Sequence, residues 1–343
     1  MELNSLYIDE LKEIVKKYGE KEFRAKQLFN FFHAQKRLDV ENSNLPKKLI
    51  DNLLENEEIR KLSILKDYSS KIDETKKLLY QLDDGNIIEG SLIKYKFGYS
   101  LCISTQVGCR MSCVFCASTK EGRVRNLTAS EMLSQIYSVE NEYGINLSNV
   151  VLMGSGEPLD NYENLIRFLD LIHDENGRNF SYRNLTISTC GIVENIYKLA
   201  DKKYPVTLAL SLHASNNEDR KAIMPITNKY SIEEALKACK YYCEKTNTRI
   251  TIEYTLINGE NDKDQNIKEL KNLLNNLKVH INLIPLNNIK EYSGKRPDKR
   301  SVYAFKKKLE SKGLNVTIRR ELGADINASC GQLRRDYKGG WND

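Results

Sequence analysis

The sequence predicts an α/β protein built on a parallel sheet, and three observations predict it. From about residue 98 onward, short β-type runs alternate with helical ones. The residues able to carry chemistry fall just after the β-type runs, at the edge where barrel-like α/β enzymes assemble their sites. A hydrophobic content of 40% over 343 residues is enough for a sizeable core.

Residues 1–60 read as a small N-terminal helical domain. Leu11, Ile14 and Val15 recur at helical spacing, Gly19 offers a stop, and a second amphipathic run extends from Phe23 to Phe32. Residues 61–97 read as a short antiparallel β segment, a hairpin linker. Its strands are 78–82 and 87–92, joined by the turn Asp83-Asp84-Gly85-Asn86. Residues 98–343 form the core with a basic C-terminal extension. Its predicted strands are 101–105, 150–153, 185–188, 206–212, 250–256 and 279–286. Thr128 followed by Glu131, and Ser231 followed by Glu234, have capping-box form and open the helices behind them. Six βα units imply a parallel sheet with right-handed crossovers, open or barrel-like.

The first ten residues are too polar and acidic for a secretory signal. No run of about 18 apolar residues suggests a membrane span. With eight unevenly spaced cysteines, these features predict a reducing cytoplasm and no membrane partner. The net charge of +6 is unevenly distributed: residues 290–338 carry 14 Lys/Arg against 6 Asp/Glu. Such a basic stretch can neutralise phosphates and release counterions, as a nucleic-acid-binding surface does. The alternative is a solvated lysine-rich helix around Lys306-Lys307-Lys308.

Cys109, Cys113 and Cys116 stand in C-x3-C-x2-C spacing. Three thiolates from one loop suit three irons of a 4Fe-4S cluster, with the fourth iron open to a small molecule. A structural zinc site wants a fourth closed ligand, and no cysteine follows at ligand spacing. A disulfide framework suits a small secreted chain.

The other unusual residues sit on the same frame. Gly154-Ser155-Gly156-Glu157-Pro158 follows the second core strand, Ser188 ends the third, Ser211 and His213 end the fourth, and Asn287 follows the sixth. The glycines permit close approach to the backbone, and Glu157 is suited to an ammonium group. His213 reads equally as a packed residue or a ligand contact. Cys102 and Cys330 read from spacing alone as core thiols. Cys239 and Cys243 share a helical face, and Cys190 is left unassigned.

Taken together, these segments resemble the RlmN family of radical S-adenosylmethionine enzymes, dual-specificity RNA adenine-C2 methyltransferases. The similarity rests on the stretch from Leu101-Cys102 to Cys116, Arg125-Asn126-Leu127-Thr128, Met153 to Leu159, Ser211-Leu212-His213-Ala214, Leu283 to Asn287, and Arg319 to Leu333. It also includes Phe23-Arg-Ala-Lys-Gln-Leu-Phe29 near the start and so runs nearly the whole chain.

The resemblance implies a radical-SAM partial (β/α)6 barrel. Cys109, Cys113 and Cys116 would hold the cluster. Gly156, Glu157, Ser188, Ser211, Leu212, His213 and Asn287 would contact S-adenosyl-L-methionine. Cys330 would carry a methyl group, Cys102 would pair with it transiently as a disulfide, and Glu89 would accept a proton. Carbon 2 of adenine is too electron-poor to attack a sulfonium directly. The family therefore uses two S-adenosylmethionine molecules: one methylates Cys330, and the other yields a radical that activates that methyl group. The implied substrates are an adenine of 23S rRNA in the peptidyl-transferase centre and the adenine 3′ of the tRNA anticodon. An electron donor such as flavodoxin or ferredoxin and a monomeric state are expected.

The chain departs from the family pattern at Ser155, where many members carry methionine, and at Asn288, where proline is common. The short segment 94–100 also makes the alignment of Glu89 depend on an ungapped reading. Arg123, Arg125, Arg319, Arg320, Arg334 and Arg335 are candidates for phosphate contact. The competing readings are a sister methyltransferase acting on carbon 8, a non-catalytic iron–sulfur RNA-binding protein, and a radical enzyme acting on a protein glycine.

Overall fold

The computed structural model describes residues 2–287, 289 and 291–326. Helices α1 (Ile8–Lys17), α2 (Phe23–His33) and α3 (Lys47–Asn56) open the chain. Their apolar stripes bury Leu11, Val15, Leu28, Phe29, Phe32, Leu49 and Leu53 in the main hydrophobic core. Next come strands β1 (Leu62–Ser69), β2 (Lys76–Leu82), β3 (Ile87–Tyr95) and β4 (Gly98–Cys102). The expected turn at 83–86 joins β2 to β3. The strand β1 was not read from the sequence.

A small ribbon follows, β5 (Gln106–Gly108) against β6 (Arg123–Asn126), and it brackets the cysteine loop. The alternating part comprises α4 (Ala129–Tyr143), β7 (Leu147–Leu152), α5 (Tyr162–His173), β8 (Leu185–Thr189), α6 (Val193–Asp201), β9 (Thr207–Ser211), α7 (Asn217–Ile223), α8 (Ile232–Thr246), β10 (Ile250–Leu256), α9 (Asp264–Leu273), β11 (Val279–Pro285), α10 (Lys299–Ser311) and β12 (Val316–Ile318). Both predicted capping boxes form, at Thr128/Glu131 and Ser231/Glu234.

One sheet of ten strands runs in the order β1-β2-β3-β4-β7-β8-β9-β10-β11-β12. The six strands β4, β7, β8, β9, β10 and β11 are mutually parallel, the (β/α)6 arrangement expected. At one end β1–β3 extend it antiparallel, with β3 paired to β4; at the other, β12 adds in parallel. Parallel strands covered on both faces are near-continuously apolar, as at Leu208, Ala209 and Leu210, all fully buried. Among the described residues, no helix is long and apolar enough to cross a membrane.

The C-terminal strand edge is braced by buried polar contacts. Ser104 Oγ donates to the Glu89 carbonyl at 2.7 Å and accepts the Ser155 N–H at 2.9 Å. It thus ties β3, the segment after β4 and the loop after β7 into one unit. Gln106 does the same one step further on. Its Oε1 accepts the Glu157 N–H at 2.9 Å, and its Nε2 donates to Asn126 and Asp160.

Candidate active site

Two adjoining chambers open at that edge. The first is lined by Cys109, Cys113, Cys116, Gly156, Glu157, Ser188, Ser211, His213 and Asn287. The second contains Lys77, Glu89 and Cys102 in its wall. Met153, Gly154, Ile284, Asn287 and Arg319 line both and form the partition between them.

The cysteine loop is held from three sides. Cys109 N–H donates to the Gly122 carbonyl at 2.9 Å, and Thr119 Oγ1 donates to the carbonyls of Cys113 and Cys116. Val114 N–H donates to the Ile223 carbonyl at the end of α7, at 3.0 Å. The three thiols are free of disulfides, and each is pushed up in pKa, first of all by burial. Coordination by a metal reverses that tendency, because a coordinating thiol is deprotonated outright. Among the described residues, no three His, Cys, Asp or Glu side chains converge tightly enough for a single metal ion. Three thiols lining one wall of the chamber fit a cluster with one open iron, whereas a closed zinc site wants four ligands.

Glu157 caps the turn that follows it. Its Oε1 accepts the Leu159 N–H at 3.0 Å and its Oε2 accepts the Cys190 N–H at 2.7 Å. Burial raises its pKa, and these two N–H donors oppose that rise. The Thr189 and Cys190 side chains donate to it as well, so four donors share the carboxylate's roughly four lone-pair directions and hold it in place. Gly156 has φ +106°, and a Cβ there would lie 2.6 Å from Gln106 Cβ. The close approach expected of a ligand at these glycines is made here by the chain's own backbone.

His213 Nδ1 accepts the Thr255 backbone N–H at 2.9 Å. A backbone amide can only donate, so the ring's hydrogen resides on Nε2. Burial holds the imidazole neutral, with its pKa lowered to about 3. The ring meets Phe115 edge-on, with centroids 4.9 Å apart. Leu212 departs from expectation: it is fully buried behind the rim, its N–H donating to the Glu253 carbonyl and its own carbonyl accepting from Arg220 Nε. Cys190 lines the first chamber, whereas Cys239 packs in the core.

In the second chamber, Cys102 pairs in register with Ser91, and Glu89 lies two residues along on the same face. Lys77 Nζ is 2.5 Å from Glu89 Oε2, with both side chains 3% exposed. Burial raises the Cys102 thiol, while the positive charges of Arg319 and Lys77 pull it down. Cys330, Arg334, Arg335 and Asn288 lie outside the described residues. Of the arginines singled out for phosphate, Arg123 is held by Asp160, and Arg125 by Asp84 and Glu131. Arg319 and Arg320 are exposed at the mouth of the second chamber.

Sequence reasoning missed several residues: Arg220, Glu253, Ser104 and Gln106. Glu253 is buried on β10, lines the first chamber and accepts from Asn282 Nδ2. A charged residue in the middle of an apolar strand was its available signal.

Comparison with known proteins agrees with this geometry. Residues 103–271 match the Radical SAM superfamily model, and residues 1–59 match the ribosomal RNA large subunit methyltransferase N-terminal domain. The probable dual-specificity RNA methyltransferase RlmN of Clostridium botulinum (strain Eklund 17B / Type B) is 52% identical over 96% of this chain and 95% of its own length. The protein of that name from Lachnospira eligens is 52% identical over 98% of this chain and 96% of its own length. The crystal structure of a radical SAM methyltransferase from Sphaerobacter thermophilus superposes with a TM-score of 0.92, at 39% identity, covering 97% of this chain and 98% of that one. Near-complete coverage at this identity, over the fold and chambers described above, establishes that the chain belongs to the RlmN family within the radical SAM superfamily.

Proposed function

We propose that this chain methylates carbon 2 of adenine in RNA, acting on 23S rRNA in the peptidyl-transferase centre and on the adenine 3′ of the tRNA anticodon. The observation that carries this reading is the shared partition: a three-thiol chamber adjoins one holding Cys102 and Glu89. In this reading residues 1–60 are an accessory unit, 61–97 the connecting strands, and 98–343 the core with its basic extension.

Cys109, Cys113 and Cys116 would hold the 4Fe-4S cluster. When bound, that group supplies one-electron cleavage of S-adenosylmethionine, with electrons from a donor such as flavodoxin or ferredoxin. Glu157 accepts from the ammonium of the methionyl group in exchange for one of its side-chain donors, Thr189 or Cys190. His213 keeps its hydrogen on Nε2 and serves as a neutral donor, whereas Ser188, Ser211 and Asn287 supply hydroxyl and amide groups around the same ligand. Gly156 keeps the loop of Glu157 pressed against Gln106, which fixes the carboxylate's position.

In the second chamber Glu89 takes up the proton that carbon 2 must lose. Its ion pair with Lys77 fixes the position of the carboxylate in the chamber wall. The Cys102 thiolate then attacks the sulfur of Cys330, the new S–S bond forming as the bond from that sulfur to the transferred carbon breaks; the methylated product leaves, and external reduction restores both thiols. Arg319 and Arg320 attract the phosphates flanking the flipped base.

The deciding experiment is anaerobic reconstitution followed by nucleoside analysis of treated rRNA and tRNA. The expected product is 2-methyladenosine in both. Formation of 8-methyladenosine without 2-methyladenosine would overturn the proposal in favour of the carbon-8 sister activity. Cluster binding without methylation of either RNA would favour the non-catalytic reading.

A further inference from the structure

Arg220 lies on α7 and is fully buried. Its Nε donates to the Leu212 carbonyl at 3.1 Å, its Nη2 to the carbonyls of Cys190 and Ser211 at 2.6 and 3.0 Å, and its Nη1 to Thr227 Oγ1 at 3.2 Å. These acceptors are all neutral. Among the described residues, no carboxylate forms an ion pair with this guanidinium. A guanidinium does not deprotonate in proteins, so Arg220 brings a full positive charge into the interior without a fixed anion. Neutral hydrogen bonds satisfy its N–H groups but do not cancel that charge.

The surroundings indicate where the counter-charge belongs. One turn beyond Arg220, the Ile223 carbonyl receives the N–H of Val114, the residue after Cys113. Cys113, Cys190, Ile223 and Met224 form one buried cluster, with Cys116 packed against it. As thiolates, Cys190, Cys113 and Cys239 would each favour the charged form of Arg220. The helix that carries the cation is thus packed directly against the cysteine loop.

We infer that Arg220 is the charge complement of the cluster-loaded cysteine loop: a positioning residue that braces the ends of β8 and β9 and raises the cluster's reduction potential. The inference rests on the cluster reading given above. Three thiolates make the loaded loop net negative, and one-electron reduction makes it more so. A fixed buried cation stabilises the more negative state and draws the potential upward. Without that offset, the same electron would be harder to place.

The test is a redox titration of the full chain, reconstituted anaerobically and followed by electron paramagnetic resonance, at matched iron and sulfide content. Arg220→Lys keeps the charge and is expected to keep the wild-type midpoint. Arg220→Met removes it and is expected to shift the reduction equilibrium about tenfold toward the oxidised form, about 59 mV more negative for a one-electron couple. Thr227→Asp leaves Arg220 and its carbonyl contacts in place and supplies the missing carboxylate. It is expected to shift the midpoint in the same direction, so the test survives if Arg220→Met does not fold. A loaded Thr227→Asp protein with the wild-type midpoint overturns the inference while leaving the cluster reading intact. A wild-type chain that takes up no iron and sulfide overturns both.

Discussion

Lys77 and Glu89 form a buried ion pair across β2 and β3, 2.5 Å between Nζ and Oε2. Breaking one side of such a pair strands a charge and costs about 3–5 kcal/mol. Glu89→Gln is therefore expected to lower both stability and methyl transfer. The double variant Lys77→Met/Glu89→Gln removes the stranded charge and is expected to recover most of the stability and none of the transfer. Urea unfolding with parallel nucleoside analysis separates the two effects. Recovered transfer in the double variant would remove Glu89 from the chemistry.

Glu157 is buried, with each oxygen already accepting one backbone N–H. A hydrogen bond to a charged group is worth about 1.5–3 kcal/mol. Glu157→Gln is expected to weaken S-adenosylmethionine binding by roughly ten- to a hundredfold at unchanged iron content. Calorimetric titration of the reconstituted protein measures this, and unchanged affinity would assign Glu157 to turn capping alone.

Gly156 and Gly144 give a matched pair. Both have positive φ, but a Cβ at Gly156 meets Gln106 at 2.6 Å, whereas at Gly144 nothing lies within 4 Å. Gly144→Ala is expected to cost about 1–2 kcal/mol, the left-handed backbone penalty. Gly156→Ala adds a clash with a backbone-anchored neighbour, about 1–3 kcal/mol more. Denaturant midpoints of the two variants test the difference.

His33 is fully enclosed, and burial lowers its pKa to about 3. Its Nδ1 lies 3.2 Å from Tyr137 Oη. An unfolded histidine binds its proton near pH 6.5. Between pH 6.5 and 3 the unfolded state therefore holds a proton that the folded state does not, and stability falls as pH falls. The slope contributed by this one group approaches about 1.4 kcal/mol per pH unit. Urea midpoints of the metal-free chain at pH 7.5, 6.5 and 5.5 are expected to decline, and less steeply for His33→Leu. Equal slopes would show that His33 is not the titrating group.

The sequence made the parallel strands legible because their apolar runs are nearly continuous and their helices carry readable caps. The first was displaced: β4 ends at Cys102, the Ile103 N–H makes the last bond to Val151, and beyond it Thr105 and Gln106 donate to the Ser155 carbonyl in the loop after β7. The ribbon β5–β6 escaped notice because strands of three and four residues are too short to show a period. The site residues read from the sequence mostly converge on the two chambers, since strand ends are a predictable place to look. Arg220 did not stand out. In the run Asn217-Glu218-Asp219-Arg220-Lys221 it resembles any solvated helix charge, and only tertiary packing makes it internal.

The continuous pairing of β2, β3 and β4 makes Glu89 and Cys102 share a ruler. Side chains alternate along a strand, so a single-residue slip between β3 and β4 would turn Glu89 to the opposite face while Cys102 stayed put. Length can vary at the hairpin tips, around Gly85 and between Tyr95 and Gly98, but not within the paired stretches that hold residues 89 and 102. The register of these two residues is thus set as one block, and an insertion within either paired stretch would dismantle half of the second chamber without touching a single cysteine.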